Sequence, residues 1–417
     1  MVFSKGWDIS MGNWVKYGGL GILCSAIKGQ SLTSAQMEDG DVPVIAGGMS
    51  YCGMHNKSNK KENTISISAS GANAGYVMFH KQKIFATDCS TIESSKWYEV
   101  NYIYYYLHNM QEKIYQLQSG LAQPHIYPKD IANIVLNIPE SLSEQEKIAE
   151  ILSTVDIAID KTKAIVKKYK NIKKGLLQDL LTNGIDENGN IRSPETHEYK
   201  DSPLGKIPVE WECVTLDEFV CSKSNAIVAG PFGSDLKVSD YRKEGVPILR
   251  LQNVGSDVFI NKDIMFISDA KAKQLKRHSY SSGDIVLAKL GIPIGKTSIV
   301  PSDFENGIVV ADVVRIKQNF QIYNKYFLMF QLNSDIGRRQ LNSERIGTTR
   351  PRVNISQLKK TCIKKPGITE QNSIGSYIFE IHNKIIQETN YTLKLEAIKK
   401  GLMQDLLTNT VSVDCLL

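Results

Sequence analysis

The stretch EQEKIAEILSTVDIAIDKTKAIVKKYKNIKKGLLQDLLTN, Glu144 to Asn183, returns as EQNSIGSYIFEIHNKIIQETNYTLKLEAIKKGLMQDLLTN, Glu370 to Asn409. The two copies align without a gap at an offset of 226 residues, and their last twelve positions differ only at Leu177 against Met403. A match of that length marks an internal duplication. Both copies read as long helices. In the first, Ile148, Leu152, Val155, Ile159, Val166, Tyr169, Leu176 and Leu180 follow the alternating intervals of a heptad seam, interrupted at Thr162 and Lys173. Ile151, Ala158, Ile165 and Ile172 form a second stripe that widens this face. In the second, Ile374, Ile378, Ile381, Ile385, Leu395, Leu402 and Leu406 keep the seam, with Glu388 and Thr392 as polar interruptions.

Ser143 before Glu146 supplies a capping-box pattern for the first helix, and Thr369 is the expected cap of the second. Gly175 and Gly401 near the ends lower helix stability relative to alanine, so a bend or close packing is expected there. Neither helix can bury its seam alone. The pattern predicts that the two pack on each other, antiparallel about a pseudo-two-fold axis. Glu144 to Leu180 is 36 steps, a rod of roughly 54 Å at the α-helical rise, longer than the ~34 Å of one turn of B-DNA.

The chain outside the helices also repeats. GDVPVIAGG, residues 40–48, is a short strand running into a glycine turn, and Pro43 matches Pro247 of EGVPIL. ENTISISASGANAGYVMF, residues 62–79, reads as a half-buried strand, a glycine-rich turn and a second strand. Its NTISISASGANAG matches DIVLAKLGIPIG, so that Gly71 and Gly75 fall on Gly291 and Gly295. AQPHIYPKDI, residues 122–131, matches TRPRVNISQL, residues 349–358. The offset grows from 204 to 220 to 227, which leaves the second unit about two dozen residues longer. Residues 101–118, aromatic-rich, read as one helix. The fold class expected is α+β: two mixed, strand-rich domains of one fold alternating with two long helices in an antiparallel, coiled-coil-like pair. The divisions are 1–140, 141–184 (helix), 185–208 (connector), 209–365 and 366–410 (helix). In the connector, DENGN resembles the start of a calcium loop, but Ile191 stands where glycine is needed, so it reads as a plain turn.

Composition sets the bounds. The 417 residues suit two domains plus the helices, and 42% apolar content is enough for two cores. A net charge of +6 is compatible with a polyanionic partner without identifying one. Seven cysteines without a CxxC pair point to reduced thiols and a cytoplasmic setting, and no apolar run approaches membrane-spanning length.

Catalytic motifs are largely missing. GIPIGKT, residues 291–297, has three residues between Gly and Gly-Lys where a phosphate loop needs four, and its match GANAGYV has no Lys-Thr. No Asn/Asp-Pro-Pro-aromatic methylation motif and no HExxH metal motif occur; the single Glu-x-Lys, Glu198 to Lys200, lacks an upstream Pro-Asp. The chain reads as non-catalytic. The polar residues that remain cluster in loops, each of which alone reads as solvated surface. In the first unit these are Lys57, Asn59, Lys60, Asn73, Gln118, Ser119, Gln123 and His125. In the second they are Lys237, Arg242, Arg250, Gln252, Asn253, Lys289 and Lys296, then Arg345, Thr348, Thr349, Arg350 and Arg352. The repeated position of 118–125 and 345–352 favours a shared role, and Arg, Lys, Asn and Gln are the side chains that read base edges or clamp phosphates.

The order unit, helix, unit, helix resembles the specificity subunit of type I DNA restriction-modification systems. The helices opening with EQ and ending IKKGLLQDLLTNG and IKKGLMQDLLTNT carry the resemblance, with GPFGSDL (residues 230–236), EGVPILRLQNV (244–254) and GDIVLAKLGIPIGK (283–296). It extends over essentially the whole chain. It implies that each unit is a target-recognition domain reading one half of a bipartite, asymmetric double-stranded DNA site. It implies helices that space the two units and dock two modification subunits, which methylate adenine with S-adenosylmethionine. ATP- and Mg-dependent restriction subunits are possible further partners, and no cofactor is expected in this chain. The first unit starts close to Met1, which leaves its opening strand at Trp7 or Trp14. Two rival classes remain: an enzyme, nuclease or ATPase, built on GIPIGKT, and a purely structural coiled-coil adaptor.

Overall fold

A computed structural model describes residues 14–120, 122–220, 225–347 and 351–413. The chain divides into two compact units, Met1–Ile165 with Glu388–Leu417, and Val166–Gln387. Each holds one strand-rich domain and part of each long helix.

In the first unit, Ile27–Lys28, Cys89–Ile92, Thr64–Ser68 and Val77–His80 lie side by side as an antiparallel sheet. A second sheet has Val42–Ile45 at its centre, antiparallel to Gly53–His55 and parallel to Phe85–Ala86. Trp14–Tyr17 pairs antiparallel with Leu136–Pro139. The opening strand is therefore the one at Trp14; Trp7 lies outside the described residues. The expectation of a half-buried strand at Ile65 and Ile67 is corrected: all of Thr64–Ser68 is buried. Ile65 and Ile67 enter the core with Tyr102 and Ile103, while Ser66 on the other face meets the His80 ring at 2.7 Å. The aromatic helix is also corrected. It breaks at Met110, whose ψ of 11° leaves the helical range, into Val100–Asn109 and Gln111–Tyr115.

The second unit repeats this plan. Ile227–Ala229, Val313–Ile316, Ile285–Ala288 and Thr297–Ile299 form the four-stranded sheet. Val246–Leu249 is antiparallel to Met265–Ile267 and parallel to Gly307–Val309. This sheet gains the outer strands Tyr241–Arg242 and Ser279–Tyr280, which absorb part of the extra sequence. Glu212–Thr215 pairs with Cys362–Lys365 as Trp14–Tyr17 pairs with Leu136–Pro139.

The long helices are α1 (Leu142–Leu180) and α2 (Ile368–Leu406). Within each unit they run antiparallel. In the first, Asp156 meets Lys399 at 2.6 Å and Lys163 meets Glu396 at 2.7 Å, so rising numbers on α1 face falling numbers on α2. In the second, Lys173 reaches His382 at 3.1 Å while Leu180 shares a core with Ile374 and Ile378. All fifteen seam residues named above are buried or half-buried. Full burial of one such aliphatic side chain stabilises by about 1.5–3 kcal/mol, which is what holds helices too polar elsewhere to stand alone. The polar breaks in the seam are satisfied locally: the Thr162 hydroxyl donates to the Ala158 carbonyl at 2.8 Å, and Thr392 to Glu388 at 2.8 Å.

Three helix expectations are corrected. The first helix is capped by Ser141, whose hydroxyl accepts from the Glu144 N–H at 3.4 Å, and not by Ser143. The second helix begins at Ile368, with Gly367 preceding it, so Thr369 lies inside its first turn. The second stripe does not widen the buried face, because Ile165 and Ile172 are exposed. At Gly175 and Gly401 the helices continue, and a Cβ added there would meet nothing within 4 Å, so this chain supplies no close packing.

Candidate nucleic-acid interface

Each unit builds a loop site around its glycine turn. In the second unit the strands Ile285–Ala288 and Thr297–Ile299 are joined through Gly291 and Gly295. Gly295 has φ of +76°, and a side chain there would run into Leu341; Gly75, at φ of +92°, would run into Ile126. Glycine is required on both counts. A second loop is pinned across this turn. Ile346 and Arg352 exchange backbone hydrogen bonds of 2.8 and 3.0 Å, and the Gly291 N–H donates to the Pro351 carbonyl at 3.2 Å.

The same clamp occurs in the first unit. Ser119 and His125 exchange bonds of 2.9 and 2.8 Å, and the Gly71 N–H donates to the Pro124 carbonyl at 3.0 Å. A third element closes both sites. The Lys289 N–H donates to the Asp312 carbonyl at 3.0 Å, as Ala69 donates to Asp88 at 3.2 Å. The structure thus brings together Lys289, Arg345 and Arg352 with Asp312, and Asn73, Gln118, Ser119, Gln123 and His125 with Asp88.

Their chemistry differs. In the second unit the Arg352 guanidinium meets the Asp312 carboxylate at 3.3 Å while its side chain stays 55% exposed. Burial pushes the Lys289 ammonium below its usual range; Asp312 opposes that shift and Arg352 adds to it. Two cations share one carboxylate, leaving a positive, solvent-facing site. Around them Ile292 and Ile346 are exposed. In the first unit the Ser70 hydroxyl donates to the Asp88 carboxylate, and the His125 ring stacks on Tyr127. Gln118 donates to the Ala74 carbonyl at 2.7 Å, which ties the pinned loop to the glycine turn.

Not every expected residue belongs to these sites. Asn59 is spent on the backbone of Ala86, at 2.9 and 2.7 Å, and Lys60 pairs with Glu93 at 2.7 Å. Asn253 is buried and holds the Ile260 and Lys262 carbonyls, while Arg250 donates to Asp263 and Arg242 to Ser239 and Tyr241. These side chains fix loops. Lys57, Lys237, Gln252 and Arg345 are exposed and Lys296 is half-buried. Thr348, Thr349 and Arg350 lie outside the described residues. Sequence reasoning missed Asp88 and Asp312. The signal was present: they match at an offset of 224, between the flanking offsets of 220 and 227.

GIPIGKT turns one strand into the next, not a strand into a helix, which removes the phosphate-loop geometry. Among the described residues no cluster of His, Cys, Asp or Glu could hold a metal, and no helix is long and apolar enough to cross a membrane.

The family model described as type I restriction modification DNA specificity domain matches residues 13–170 and again 208–397, one match for each half of the duplication. The chain belongs to that family. It is a type I specificity subunit, a class that does not itself catalyse. Among its relatives is the type I restriction enzyme MjaVIII specificity subunit of Methanocaldococcus jannaschii, 28% identical over 356 residues, covering 84% of this chain and 80% of the relative. The EcoBI specificity subunit of Escherichia coli is 25% identical over 286 residues, covering 66% of this chain and 57% of the relative. The crystal structure of the type I restriction-modification S subunit from M. genitalium superposes with a TM-score of 0.69 at 19% identity, covering 97% and 98% of the two chains, a likeness of fold. Specificity subunits of this kind act within type I complexes, which assemble from several subunits and bind DNA.

Proposed function

We propose that each strand-rich domain of this specificity subunit reads one half of a bipartite double-stranded DNA site through its pinned loops. The long helices set the distance between the half-sites and dock two modification subunits. The observation that carries this reading is the recurrence of one clamp, Ile346 with Arg352 and Ser119 with His125, around side chains that differ between the copies. One scaffold with two sets of readers suits an asymmetric target. The cations Lys289 and Arg352 suit phosphates or the acceptors of guanine, while Ser119, Gln123 and His125 suit neutral base edges. Adenine methylation with S-adenosylmethionine, and any ATP- and Mg-dependent restriction step, belong to the partner subunits of a cytoplasmic complex. The division at 1–140, 141–184, 185–208, 209–365 and 366–410 is the modular scheme proposed with it.

The test is to exchange residues 209–360 for the equivalent unit of a relative and map methylated adenines in the host genome. One half-site should change and the other persist. A folded exchange that alters both halves would count against modular reading.

A further inference from the structure

The duplication has not decayed evenly. Over the first 28 positions of the two copies only Glu144, Gln145, Ile148, Ile159 and Lys168 are matched, and then eleven of the last twelve are. Some of that identity follows from packing. Leu180 and Leu406 are buried, and Lys173 and Lys399 are committed to ion pairs with Asp257 and Asp156. Four matched positions have no such reason. Ile172, Lys174, Gly175 and Gln178 are exposed, and so are Ile398, Lys400, Gly401 and Gln404. The Lys174, Gln178, Lys400 and Gln404 side chains make no hydrogen bond or ion pair among the described residues. At helical spacing these positions lie on one side of each helix.

The glycines are the sharpest case. Glycine is the poorest helix-interior residue after proline, and a Cβ at Gly175 or Gly401 would meet nothing in this chain. Alanine would fit at both and strengthen both helices, yet glycine stands in each copy. The exposed side also borders a groove in each unit, lined at matching positions. Gln178, Leu181 and Thr182 line a cavity of about 740 Å³ in one unit. Gln404, Leu407 and Thr408 line one of about 580 Å³ in the other.

We propose that residues 172–182 and 398–408 are two equal docking sites, each for a helix of one modification subunit, packed across the glycine with its backbone close. Two copies of one partner explain why two faces that have no contact to preserve within the chain remain alike. The helix that fits carries a small residue opposite Gly175 or Gly401, an apolar side chain against Ile172 or Ile398, and a carboxylate for Lys174 or Lys400. This rests on the docking role proposed above and assigns it to particular residues.

The test uses the full chain, the purified modification subunit and native mass spectrometry, with Gly175→Ala, Gly401→Ala, Gly175→Arg and Gly401→Arg variants. Each alanine variant should melt higher than the parent and bind the partner about tenfold more weakly, a pair of opposite effects that a purely structural glycine does not give. Each arginine variant should carry one partner copy, and the double arginine variant none, with helix content unchanged by circular dichroism. Two copies bound at parental affinity by every variant would overturn this surface while leaving the docking role intact. Variants that lose self-association of this chain instead would overturn it in favour of a second copy as occupant. A parent chain that binds no modification subunit would remove the docking role itself.

Discussion

Gln145 and Gln371 occupy the same place in the two copies and make the same two hydrogen bonds. The Gln145 side chain accepts from the Glu99 N–H at 3.0 Å and donates to the Pro139 carbonyl at 2.8 Å. Gln371 accepts from Asn324 at 3.1 Å and donates to Pro366 at 2.9 Å. Glu99 and Asn324 are the N-caps of the aromatic-rich helices Val100–Asn109 and Lys325–Asn333. Each glutamine therefore ties the start of a long helix to the start of a domain helix, and both are buried.

Replacing either glutamine with leucine keeps the volume and strands two buried backbone groups. Each loss should cost about 1–3 kcal/mol. Gln145→Leu should destabilise Met1–Ile165 and Gln371→Leu should destabilise Val166–Gln387, each leaving the other unit's transition in place. Hydrogen exchange resolved by peptide separates the two. Uniform loss of protection from either variant would show that the clamp is not local to its unit.

The seam gives a larger effect. Leu152 is 0% and Ile159 5% exposed. Leu152→Asp with Ile159→Asp places two carboxylates in an apolar interface without partners, at a cost of several kcal/mol. Urea denaturation should show unfolding of the helical pairing in the first unit. A variant that keeps parental stability, site affinity and partner subunits would refute the antiparallel seam.

At the DNA site, Arg352→Ala removes the guanidinium that Asp312 holds. A base-reading arginine should cost ~1–3 kcal/mol and relax one position of the second half-site, whereas a phosphate contact should weaken all sequences and lower the salt slope by about one. Arg350→Ala is the companion variant. Binding unchanged in both, measured by fluorescence anisotropy over a salt series, would remove this loop from the interface.

His80 supplies a pH prediction. Burial pushes its imidazole down from 6.5 to about 4, with the ring against Ser66. A depressed histidine folds in its neutral form, so the unfolded chain binds more protons between these values. The associated stability is fully present above pH 6.5 and is lost as pH falls towards 4. His80→Gln should flatten the fall of the urea midpoint across that window by roughly 1–3 kcal/mol. An unchanged profile would place the acid sensitivity elsewhere.

The parts of this fold that were legible depend on periodicity. The seam from Ile148 to Leu180, the paired glycine turns and the second loop were all readable because spacing alone specifies them. Asn253, Asn59 and Lys60 were not, since whether a polar loop residue faces solvent or binds backbone depends on the path of the loop. The Ser141 cap was displaced by two residues for a similar reason: Ser143 has the right neighbours, but Pro139 and the Gln145 bond to its carbonyl start the helix earlier. Asp88 and Asp312 escaped because an acid is not expected among residues chosen to meet a polyanion. Their role is to hold Ser70 and Arg352 in place.

Helix length as the ruler between half-sites can be tested by insertion. Thr162 is the midpoint of Glu144 to Leu180, and Glu388 is its match at the offset of 226. One heptad inserted at each keeps the seam continuous and rotates each end by only about 20°. It lengthens each helix by ~10 Å, the rise of roughly three base pairs. Three base pairs also turn the duplex by about 100°, so one domain no longer faces its groove unless the DNA twists or bends. Tight binding to the original site should be lost. Sites with a longer spacer and unchanged half-sites should be recovered from a library of randomised spacers at lower affinity, because the DNA must be deformed to meet both domains. A well-folded insertion variant that still selects the original spacer would show that the helices are not the ruler.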